Sequence, residues 1–239
     1  MRAIILAAGR GERMRPLTDL TPKPLLCVRG KPLIVWHIEA LAAGGVTDIV
    51  INTAWLAEQF PAQLGDGQRF GVRLHYSDES REPGGALETA GGIKKALPLL
   101  CADGDAAFWV VSGDVFVPDF RFEAAVAEQF ARSTLAGRLW LAPNSPHHPG
   151  GDFGISAQGL ATSGPLDAAG IAGVTPPRYT WASVGLLHAS LFDAVMPGQK
   201  AALRPCLEAA IAAQSLAAEL YLGLWVDVGT QQRWAGLQD

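Results

Sequence analysis

A glycine- and arginine-rich loop near the N-terminus has the composition of a phosphate-binding site. It occupies residues 6–18. Gly9 and Gly11 carry no side chain, so the backbone N–H groups of the loop can approach a phosphate chain closely. Three arginines add positive charge to the same loop: Arg10, Arg13 and Arg15. Because a guanidinium group binds phosphate oxygens in pairs, this composition predicts binding of a polyphosphate.

The loop lacks the residues that define two common nucleotide-binding motifs. No Gly-Lys-Ser or Gly-Lys-Thr follows the glycines, so the loop is not a P-loop. Met14 stands where the dinucleotide-binding fingerprint has its third glycine. Taken alone, the spacing of Gly9 and Gly11 also fits a basic surface turn after a strand. The neighbouring residues therefore decide between the two interpretations.

A lysine between two prolines follows the loop. Pro22 and Pro24 restrict the backbone on both sides of Lys23, so that the lysine is held in an extended segment. A lysine fixed in this way acts as a point charge for a phosphate group. An ordinary surface lysine is the simpler interpretation of Lys23 by itself, but the nearby arginine loop favours phosphate binding.

Two aspartates accompany apolar segments that are typical of strands. Asp114 follows the apolar run at residues 106–111, and Asp227 lies near the end of another apolar segment. Magnesium prefers oxygen ligands and usually takes one or two carboxylates together with substrate phosphates. Either aspartate alone is more typical of a turn or a helix cap. As a pair, they are the candidate metal ligands.

A second glycine-rich segment, at residues 83–92, leads into a predicted helix. Its glycines let backbone groups approach a flat ring without interference from bulky side chains. The segment is therefore a candidate for reading the edge of a nucleotide base. A flexible entry to the helix is the alternative interpretation.

The elements that must position these residues alternate between strand and helix. Strands are predicted at residues 3–7, 48–52, 72–76 and 106–111, and helices at residues 33–43, 55–64 and 89–97. Short apolar runs indicate strands that are buried on both faces. The alternation implies an α/β fold, a Rossmann-like, open and mainly parallel sheet flanked by helices. Ligands of such sheets lie beyond the carboxyl ends of the strands, where Gly9, Gly84 and Asp114 all fall.

The second half of the chain has a different texture, with Pro- and Gly-rich stretches between short elements. We expect a hairpin at residues 153–160, strands at 180–188 and 220–228, and a helix at 203–213. No linker separates this half from the first. The expected organisation is one domain, residues 1–239, with a nucleotide-binding half at 1–141. Residues 142–239 form a small substrate-covering subregion with a closing strand and helix.

Composition narrows the classes of function. The chain has 239 residues and a formal net charge of -4, which argues against a general nucleic-acid binder. The three cysteines are far apart and form no CxxC pair, which argues against a disulfide framework or a zinc site. No segment approaches the ~20 apolar residues of a membrane span, and no signal peptide is recognisable. We expect a cytoplasmic protein without membrane partners, and its oligomeric state stays open.

Five segments in order resemble the sugar-1-phosphate nucleotidyltransferase family. They are residues 6–18, 22–24, 87–92, 113–114 and 225–230. The resemblance extends along nearly the whole chain, and the first segment with its Pro-Lys-Pro partner is the most specific. It implies a nucleotidyltransferase domain of the GT-A-like type that depends on Mg²⁺. The implied reaction transfers a nucleoside monophosphate from a nucleoside triphosphate to a sugar 1-phosphate and releases pyrophosphate.

The resemblance also implies a role for each candidate residue. The catalytic candidates are Arg13, facing the β- and γ-phosphates, and Lys23, near the α-phosphate. The implied nucleotide-binding residues are Leu6, Ala7, Ala8, Gly9, Gly11, Glu12, Arg13, Lys23, Glu88, Thr89, Gly91 and Asp114. The implied sugar-binding residues are Asp152, Thr180, Ser183 and Asp227, and the implied metal ligands are Asp114 and Asp227.

Local strings point to particular substrates within the family. Residues 87–93 and 225–230 are similar to those of members that transfer UMP from UTP to N-acetylmuramic acid α-1-phosphate in cell-wall sugar recycling. The lactyl carboxylate of this sugar calls for a nearby cation or donor, for which His147, His148 and Arg178 are the candidates.

Other functions stay open at this stage. Residues 182–185 depart from the family pattern on the strand expected to touch the sugar. Glucose or mannose 1-phosphate is an alternative acceptor with uridylyl, thymidylyl or guanylyl transfer, and an alcohol phosphate with cytidylyl transfer. A catalytically inactive nucleotide-sugar sensor and an NAD-dependent oxidoreductase are further alternatives. The presence of Arg13 and Lys23 argues against both.

Overall fold

The computed structural model describes residues 1–82, 85–163 and 177–238. Its strands are β1 (Arg2–Leu6), β2 (Cys27–Val28), β3 (Lys31–Pro32), β4 (Asp48–Thr53), β5 (Arg73–Asp78), β6 (Ala107–Ser112), β7 (Val115–Phe116), β8 (Gly137–Ala142), β9 (Phe153–Ile155), β10 (Ala161–Thr162), β11 (Arg178–His188), β12 (Leu216–Leu220) and β13 (Val226–Asp227). Its α-helices are α1 (Leu17–Leu20), α2 (Leu33–Ala43), α3 (Gln59–Leu64), α4 (Glu88–Leu100), α5 (Ala124–Ala131), α6 (Arg204–Ala212) and α7 (Gln231–Ala235). Short 3₁₀ turns lie at Glu12–Met14, Lys23–Leu25, Gln68–Phe70 and Ala189–Phe192.

One large sheet runs through both halves of the chain. β5, β4, β1 and β6 lie side by side and parallel. β11 runs antiparallel between β6 and β8, and β12 is parallel to β8 at the edge. β9 and β10 form a hairpin that begins at the predicted Phe153 but has its second strand just beyond the predicted end, and β9 pairs with the first residues of β11. The predicted open α/β sheet is confirmed, and its parallel part is the first half.

Helices cover both faces of the sheet, which explains the continuous apolar runs of the central strands. Ile5 of β1 packs with side chains of α2, α3 and α5 in one hydrophobic core. Ile4 points to the opposite face and packs with α4 and α6 in a second core. Both isoleucines are fully buried. Burial of a side chain of this size stabilises a fold by about 1.5–3 kcal/mol.

The strand order reverses next to β1. From β1 the chain proceeds to β4 and β5 on one side, and then returns to β6 on the other side of β1. Leu6 therefore lies beside both Asn52 and Ser112 at the carboxyl ends of three neighbouring strands. A reversal of this kind opens a crevice in which ligands bind. The glycine loop and Asp114 follow the ends of β1 and β6, as the sequence predicts.

Two predicted helix boundaries are wrong. α4 continues through Pro98 to Leu100, whereas the helix predicted from the sequence ends at residue 97, just before the proline. The proline removes one helical hydrogen bond, but burial of Leu100 in the second core offsets that loss. The helix predicted at residues 55–64 begins only at Gln59. Trp55 lies before it and donates its indole N–H to the carbonyl of Thr18 at 2.9 Å.

The predicted strand at residues 220–228 is also wrong. β12 ends at Leu220 and β13 begins only at Val226, with Leu222 and Leu224 exposed between them. β13 pairs with β7 in a ribbon separate from the large sheet. The sequence assigns no element to the stretch that forms α5 and β8. Within the described ranges, no helix is long and apolar enough to cross a membrane.

Candidate active site

A cavity of about 340 Å³ opens at the crevice between β1 and β6, and we call it the first cavity. Most of the predicted nucleotide-binding residues line it, namely Leu6, Ala7, Ala8, Gly9, Gly11, Lys23, Glu88, Thr89 and Asp114. Glu12 is exposed in the 3₁₀ turn after the glycine loop, and Arg13 lines a neighbouring cavity. Gly91 lies inside α4, where its N–H donates to the carbonyl of Ala201 at 3.1 Å.

The glycine loop is closed by its own backbone and by Thr18. Gly11 has φ 69°, a conformation that favours glycine, and a Cβ there would lie 3.0 Å from a methyl carbon of Thr18. The Thr18 hydroxyl donates to the carbonyl of Gly11 at 2.9 Å. The loop is therefore a fixed turn whose backbone faces the first cavity.

The arginines of this loop have different surroundings. Arg10 pairs with Asp19 at 2.7 Å and lies over the ring of Trp55, 3.5 Å from its centroid. Arg15 also bonds Asp19, at 2.9 Å. Arg13 is exposed and makes no hydrogen bond or ion pair with the residues that the structure describes. Only Arg13 of the three lines a cavity of the site, so it is the arginine placed to contact a ligand.

Lys23 and Asp114 meet where the two cavities adjoin. Lys23 is buried, and its Nζ donates to Asp114 Oδ2 at 2.6 Å. Gly113 permits this approach, because a Cβ on it would lie 3.2 Å from the ring of Pro24. Burial opposes ionisation of Asp114, but the charge and hydrogen bond of Lys23 outweigh burial and hold the pKa of Asp114 below its usual value. The carboxylate is therefore ionised at neutral pH.

A second cavity, of about 680 Å³, shares Ser112 and Asp114 with the first. All the predicted sugar-binding residues line it, namely Asp152, Thr180, Ser183 and Asp227. Its wall also contains aromatic, histidine and arginine side chains that the first cavity lacks, namely Phe153, Trp181, Trp225, His147, His148, Arg13 and Arg204. Such a mixture of flat apolar surfaces and polar groups suits a sugar that carries charge.

Asp152 is held firmly in the second cavity. Its Oδ2 accepts the backbone N–H of Trp181 at 2.8 Å, and its Oδ1 contacts His148 Nε2 at 3.2 Å. Thr180, which precedes Trp181 in β11, donates its hydroxyl to Asn144 Oδ1 at 2.9 Å. These bonds fix the direction of both side chains.

Two predicted site residues have strained backbones. Ser183 has φ 59° at a bulge in β11, between Trp181 and Val184, and Glu88 has φ 59° at the start of α4. Positive φ is unfavourable for residues with a side chain and concentrates at functional sites. A bulge redirects the side chains around it, and this one falls within residues 182–185, where the sequence is expected to depart from the family pattern.

Asp227 is brought to Asp114 by the ribbon of β7 and β13. Asp227 lies opposite Val115, and the N–H of Val228 donates to the carbonyl of Asp114 at 3.0 Å. The Asp227 carboxylate pairs with Arg233 of α7 at 2.9 Å. Two aspartates far apart in sequence thus stand on one wall of the second cavity.

The two carboxylates fit the chemistry of a magnesium site. Both are hard oxygen donors, and in the structure each is paired with a cation, Lys23 or Arg233. Within residues 1–82, 85–163 and 177–238, no set of three His, Cys, Asp or Glu side chains is placed to hold a metal ion. Two protein ligands completed by substrate phosphates is a common arrangement for Mg²⁺.

Several lining residues are absent from the sequence-based set. Asn52, Ser112 and Lys200 line the first cavity. Asn52 could have been predicted from the sequence, because it is a polar residue near the end of an apolar strand. Lys200 could not, because its segment has no apolar periodicity or motif that points to a site. Arg178 is not in either cavity wall, because its guanidinium donates to carbonyls, including that of Asp152 at 2.6 Å. Residues 83–84 of the predicted base-reading turn lie outside the described residues.

Comparison with known proteins identifies the class. The Nucleotidyl transferase family matches residues 2–236. The chain belongs to this family and is a nucleotidyltransferase, which confirms the resemblance of the five sequence segments.

Individual relatives refine this picture. The chain is 46% identical over 233 residues to the N-acetylmuramate alpha-1-phosphate uridylyltransferase of Neisseria meningitidis serogroup B, covering 96% of this chain and 94% of that protein. It is 43% identical over 128 residues to a mannose-1-phosphate guanyltransferase of Gibberella zeae, covering 53% of this chain and 34% of that protein. A Bacillus anthracis crystal structure, assigned as a glucose-1-phosphate thymidylyltransferase, has the same fold with a TM-score of 0.77. That structure is 22% identical and the match covers 100% of this chain and 96% of the other.

Proposed function

We propose that this protein transfers UMP from UTP to N-acetylmuramic acid α-1-phosphate and releases pyrophosphate. The observation that carries the proposal is the pair of adjoining cavities that share Asp114, beside Lys23. The Neisseria meningitidis relative is named for this reaction and matches along almost its whole length. We place the reaction in the recycling of cell-wall sugars, which the sequence resemblance implies, and in the cytoplasm, as expected from the sequence.

The two cavities suggest where each substrate lies. The triphosphate occupies the first cavity, and the sugar 1-phosphate occupies the second. An oxygen of the sugar phosphate attacks the α-phosphorus, and the bond from that phosphorus to the leaving pyrophosphate breaks. The attacking oxygen is already anionic, so the reaction needs no strong general base. The protein therefore acts by positioning two anions and by stabilising the charge that moves to pyrophosphate.

Basic residues supply that charge stabilisation in the proposed mechanism. Lys23 stands at the junction of the cavities and neutralises negative charge at the α-phosphate. Asp114 fixes the position of its ammonium group through the 2.6 Å contact. Arg13, with no partner among the described residues, stabilises the leaving phosphates. Backbone groups around Gly9 and Gly11 bind the phosphate chain.

Mg²⁺ is the proposed cofactor, with Asp114 and Asp227 as its protein ligands. When bound, the ion neutralises phosphate charge and stabilises the leaving pyrophosphate. The lowered pKa of Asp114 suits this role, because a metal ligand must be ionised at neutral pH.

The wall of the second cavity supports a sugar with an additional carboxylate. His147 and His148, both proposed from the sequence, line this cavity, whereas Arg178 does not. Arg204 provides a cation in its place, with its guanidinium 4.6 Å from the ring centroid of Phe153. A carboxylate on the lactyl ether would meet these groups, which N-acetylglucosamine 1-phosphate cannot use.

We expect the enzyme to prefer N-acetylmuramic acid 1-phosphate over N-acetylglucosamine 1-phosphate by about 10–100-fold in kcat/KM, because a hydrogen bond to a charged group is worth about 1.5–3 kcal/mol. The two sugars differ only by the lactyl group. Both are offered in competition with UTP, and the two nucleotide-sugar products are separated and quantified. A ratio near one, or a preference for the smaller sugar, contradicts the muramate assignment and leaves nucleotidyl transfer intact.

Mannose or glucose 1-phosphate is the second candidate acceptor. The mannose-1-phosphate guanyltransferase relative matches this chain over the stretch of 128 residues, so other bases and sugars must be tested. Each of UTP, dTTP, GTP and CTP is paired with each sugar phosphate, and pyrophosphate release is measured. If pyrophosphate is released fastest with GTP and mannose 1-phosphate, the second candidate acceptor replaces N-acetylmuramic acid 1-phosphate.

A further inference from the structure

Two buried polar residues, Asn52 and Glu79, connect the walls of the first cavity. Asn52 is the penultimate residue of β4 and is 3% exposed, and Glu79 directly follows β5 and is 0% exposed. Neither belongs to the residues that the family resemblance assigns to the site. Fully buried polar side chains are costly to a fold unless they are satisfied by hydrogen bonds, so their partners are informative.

Three hydrogen bonds run from the glycine loop to the start of α4. The backbone N–H of Ala7 donates to Asn52 Oδ1 at 2.8 Å, and Asn52 Nδ2 donates to Glu79 Oε1 at 2.8 Å. Glu79 Oε2 accepts the backbone N–H of Leu87 at 2.8 Å. Because a backbone N–H can only donate, the amide of Asn52 has one allowed orientation, with its oxygen toward Ala7.

The surroundings of the Glu79 carboxylate affect both its pKa and the space available to it. Burial raises its pKa, and the N–H donors of Leu87 and Asn52 counteract that rise by binding the ionised form. α4 packs so closely that a Cβ on Gly92 would lie 2.5 Å from Glu79 Oε1 and 2.8 Å from Asn52 Nδ2. The glycine at this position of the helix therefore leaves the space in which the network fits.

We propose that Asn52 and Glu79 are positioning residues for nucleotide binding. They hold Ala7 on one wall of the first cavity and Leu87, which precedes the lining residues Glu88 and Thr89, on the other. Asn52 reaches the cavity wall, whereas Glu79 acts through its two partners. The network sets the separation of the phosphate-binding loop and the base-reading segment. This inference rests on the proposed nucleotide site.

An exchange of the two side-chain types tests the network. In Glu79→Gln, the amide at position 79 has one oxygen for two donors, so one N–H loses its acceptor. In Asn52→Asp, two carboxylates face each other, so the hydrogen bond between positions 52 and 79 survives only while one of them holds a proton, and it is lost to repulsion when both are ionised. In the double variant, the carboxylate at position 52 accepts from Ala7 and from the amide at position 79. The oxygen of that amide then accepts from Leu87, and all three hydrogen bonds are restored.

At a pH where both carboxylates of Asn52→Asp are ionised, we expect each single variant to raise the KM for UTP, and its dissociation constant, about tenfold, the scale of one hydrogen bond to a charged group. The KM for the sugar 1-phosphate should not change, because the second cavity lies outside the network. The double variant should recover most of the affinity for UTP. This recovery distinguishes positioning from a general loss of stability.

Asp48→Asn is the matched control for lost stability. Asp48 is buried at the opposite end of β4, where its carboxylate bonds Arg73 and His75. We expect this variant to lower the melting temperature with the KM for UTP unchanged. If a single exchange variant does not fold, Asn52→Ser replaces it. The shorter serine side chain cannot bridge Ala7 and Glu79 as Asn52 does, so that variant should show the same rise in KM.

Two results overturn the inference. One is a single variant that melts at a lower temperature but keeps the wild-type KM for UTP. The other is a folded double variant that stays as weak as the single variants. Failure of the proposed function has a different signature, since the wild-type protein would then release no pyrophosphate from UTP and the muramate phosphate. In that case the single and double variants are compared with the wild-type protein by their dissociation constants for the triphosphate that the wild-type protein binds most tightly.

Discussion

Asp114→Asn and Asp227→Asn are each expected to lower kcat by about 10²–10³, because the charge stabilisation supplied by a bound metal is on the order of several kcal/mol. Both substitutions keep the size of the side chain and remove its charge. Each should also raise the Mg²⁺ concentration needed for half-maximal rate. The measurement is a Mg²⁺ titration of the initial rate of pyrophosphate release.

Two further variants serve as controls, one for the chemical change itself and one for the loss of the Lys23–Asp114 ion pair. Asp119→Asn makes the same chemical change at an exposed residue outside both cavity walls and should leave the titration unchanged. Lys23→Met removes the cationic partner of Asp114 without removing a metal ligand. It should lower kcat without raising the Mg²⁺ requirement, because the Asp114 carboxylate then has no competing cation. Near-normal rates for both aspartate variants at limiting Mg²⁺ would remove these residues from the metal site.

The ion pairs of the two aspartates predict how the Mg²⁺ requirement should change when the paired cation is removed. Asp227 is held by Arg233, and Asp114 by Lys23, so each carboxylate already has one oxygen in contact with a cation. A metal ion must share or displace these contacts. Arg233→Met should therefore lower the Mg²⁺ requirement, whereas Asp227→Asn raises it. Opposite shifts from the two members of one ion pair distinguish competition for the metal from a loss of structure.

Part of the candidate site could be predicted because strand ends converge in a parallel sheet. The glycine loop and Asp114 each follow a short apolar run, and β1 and β6 are neighbours in the sheet. The carboxyl ends of parallel neighbours meet at one edge, so residues that follow them come together whatever the length of chain between them. This rule needs only the identification of two strands.

Other parts of the site depend on pairings that no local pattern specifies. Asp227 reaches Asp114 only because β13 forms a ribbon with β7, and each of these strands has two residues. The sequence around Glu79 is typical of an exposed acidic residue after a strand, yet the packing of α4 buries the Glu79 side chain completely. Such contacts are set by tertiary packing, which a reading of propensity along the chain does not contain.

The strand predicted at residues 220–228 shows why an apolar pattern can mislead. Leu222 and Leu224 continue the apolar run after β12, but both side chains are exposed. Gly223 separates them and the chain turns away from the sheet toward β7. Apolar residues are common on protein surfaces, so a run of them indicates a buried strand only when its neighbours in space complete the sheet.

Arg13→Ala is expected to lower kcat/KM by about 10²–10³, the usual effect of removing one donor that stabilises a charged transition state. Arg10→Ala is the matched control on the same loop. Arg10 is already bound to Asp19 and stacked on Trp55, so its loss should lower the melting temperature and affect turnover only slightly. Equal and small effects at both positions would make the loop a basic surface turn.

The separate kinetic constants then show which phosphate Arg13 contacts. The sequence resemblance assigns Arg13 to the β- and γ-phosphates, yet in the structure it lines the second cavity, near Gly229. Contact with the leaving pyrophosphate predicts a fall in kcat with an unchanged KM for the sugar 1-phosphate. Contact with the sugar phosphate predicts that this KM rises. Because Arg13 is exposed and has no partner in the described part of the chain, it can turn toward the pyrophosphate, and we expect the first result.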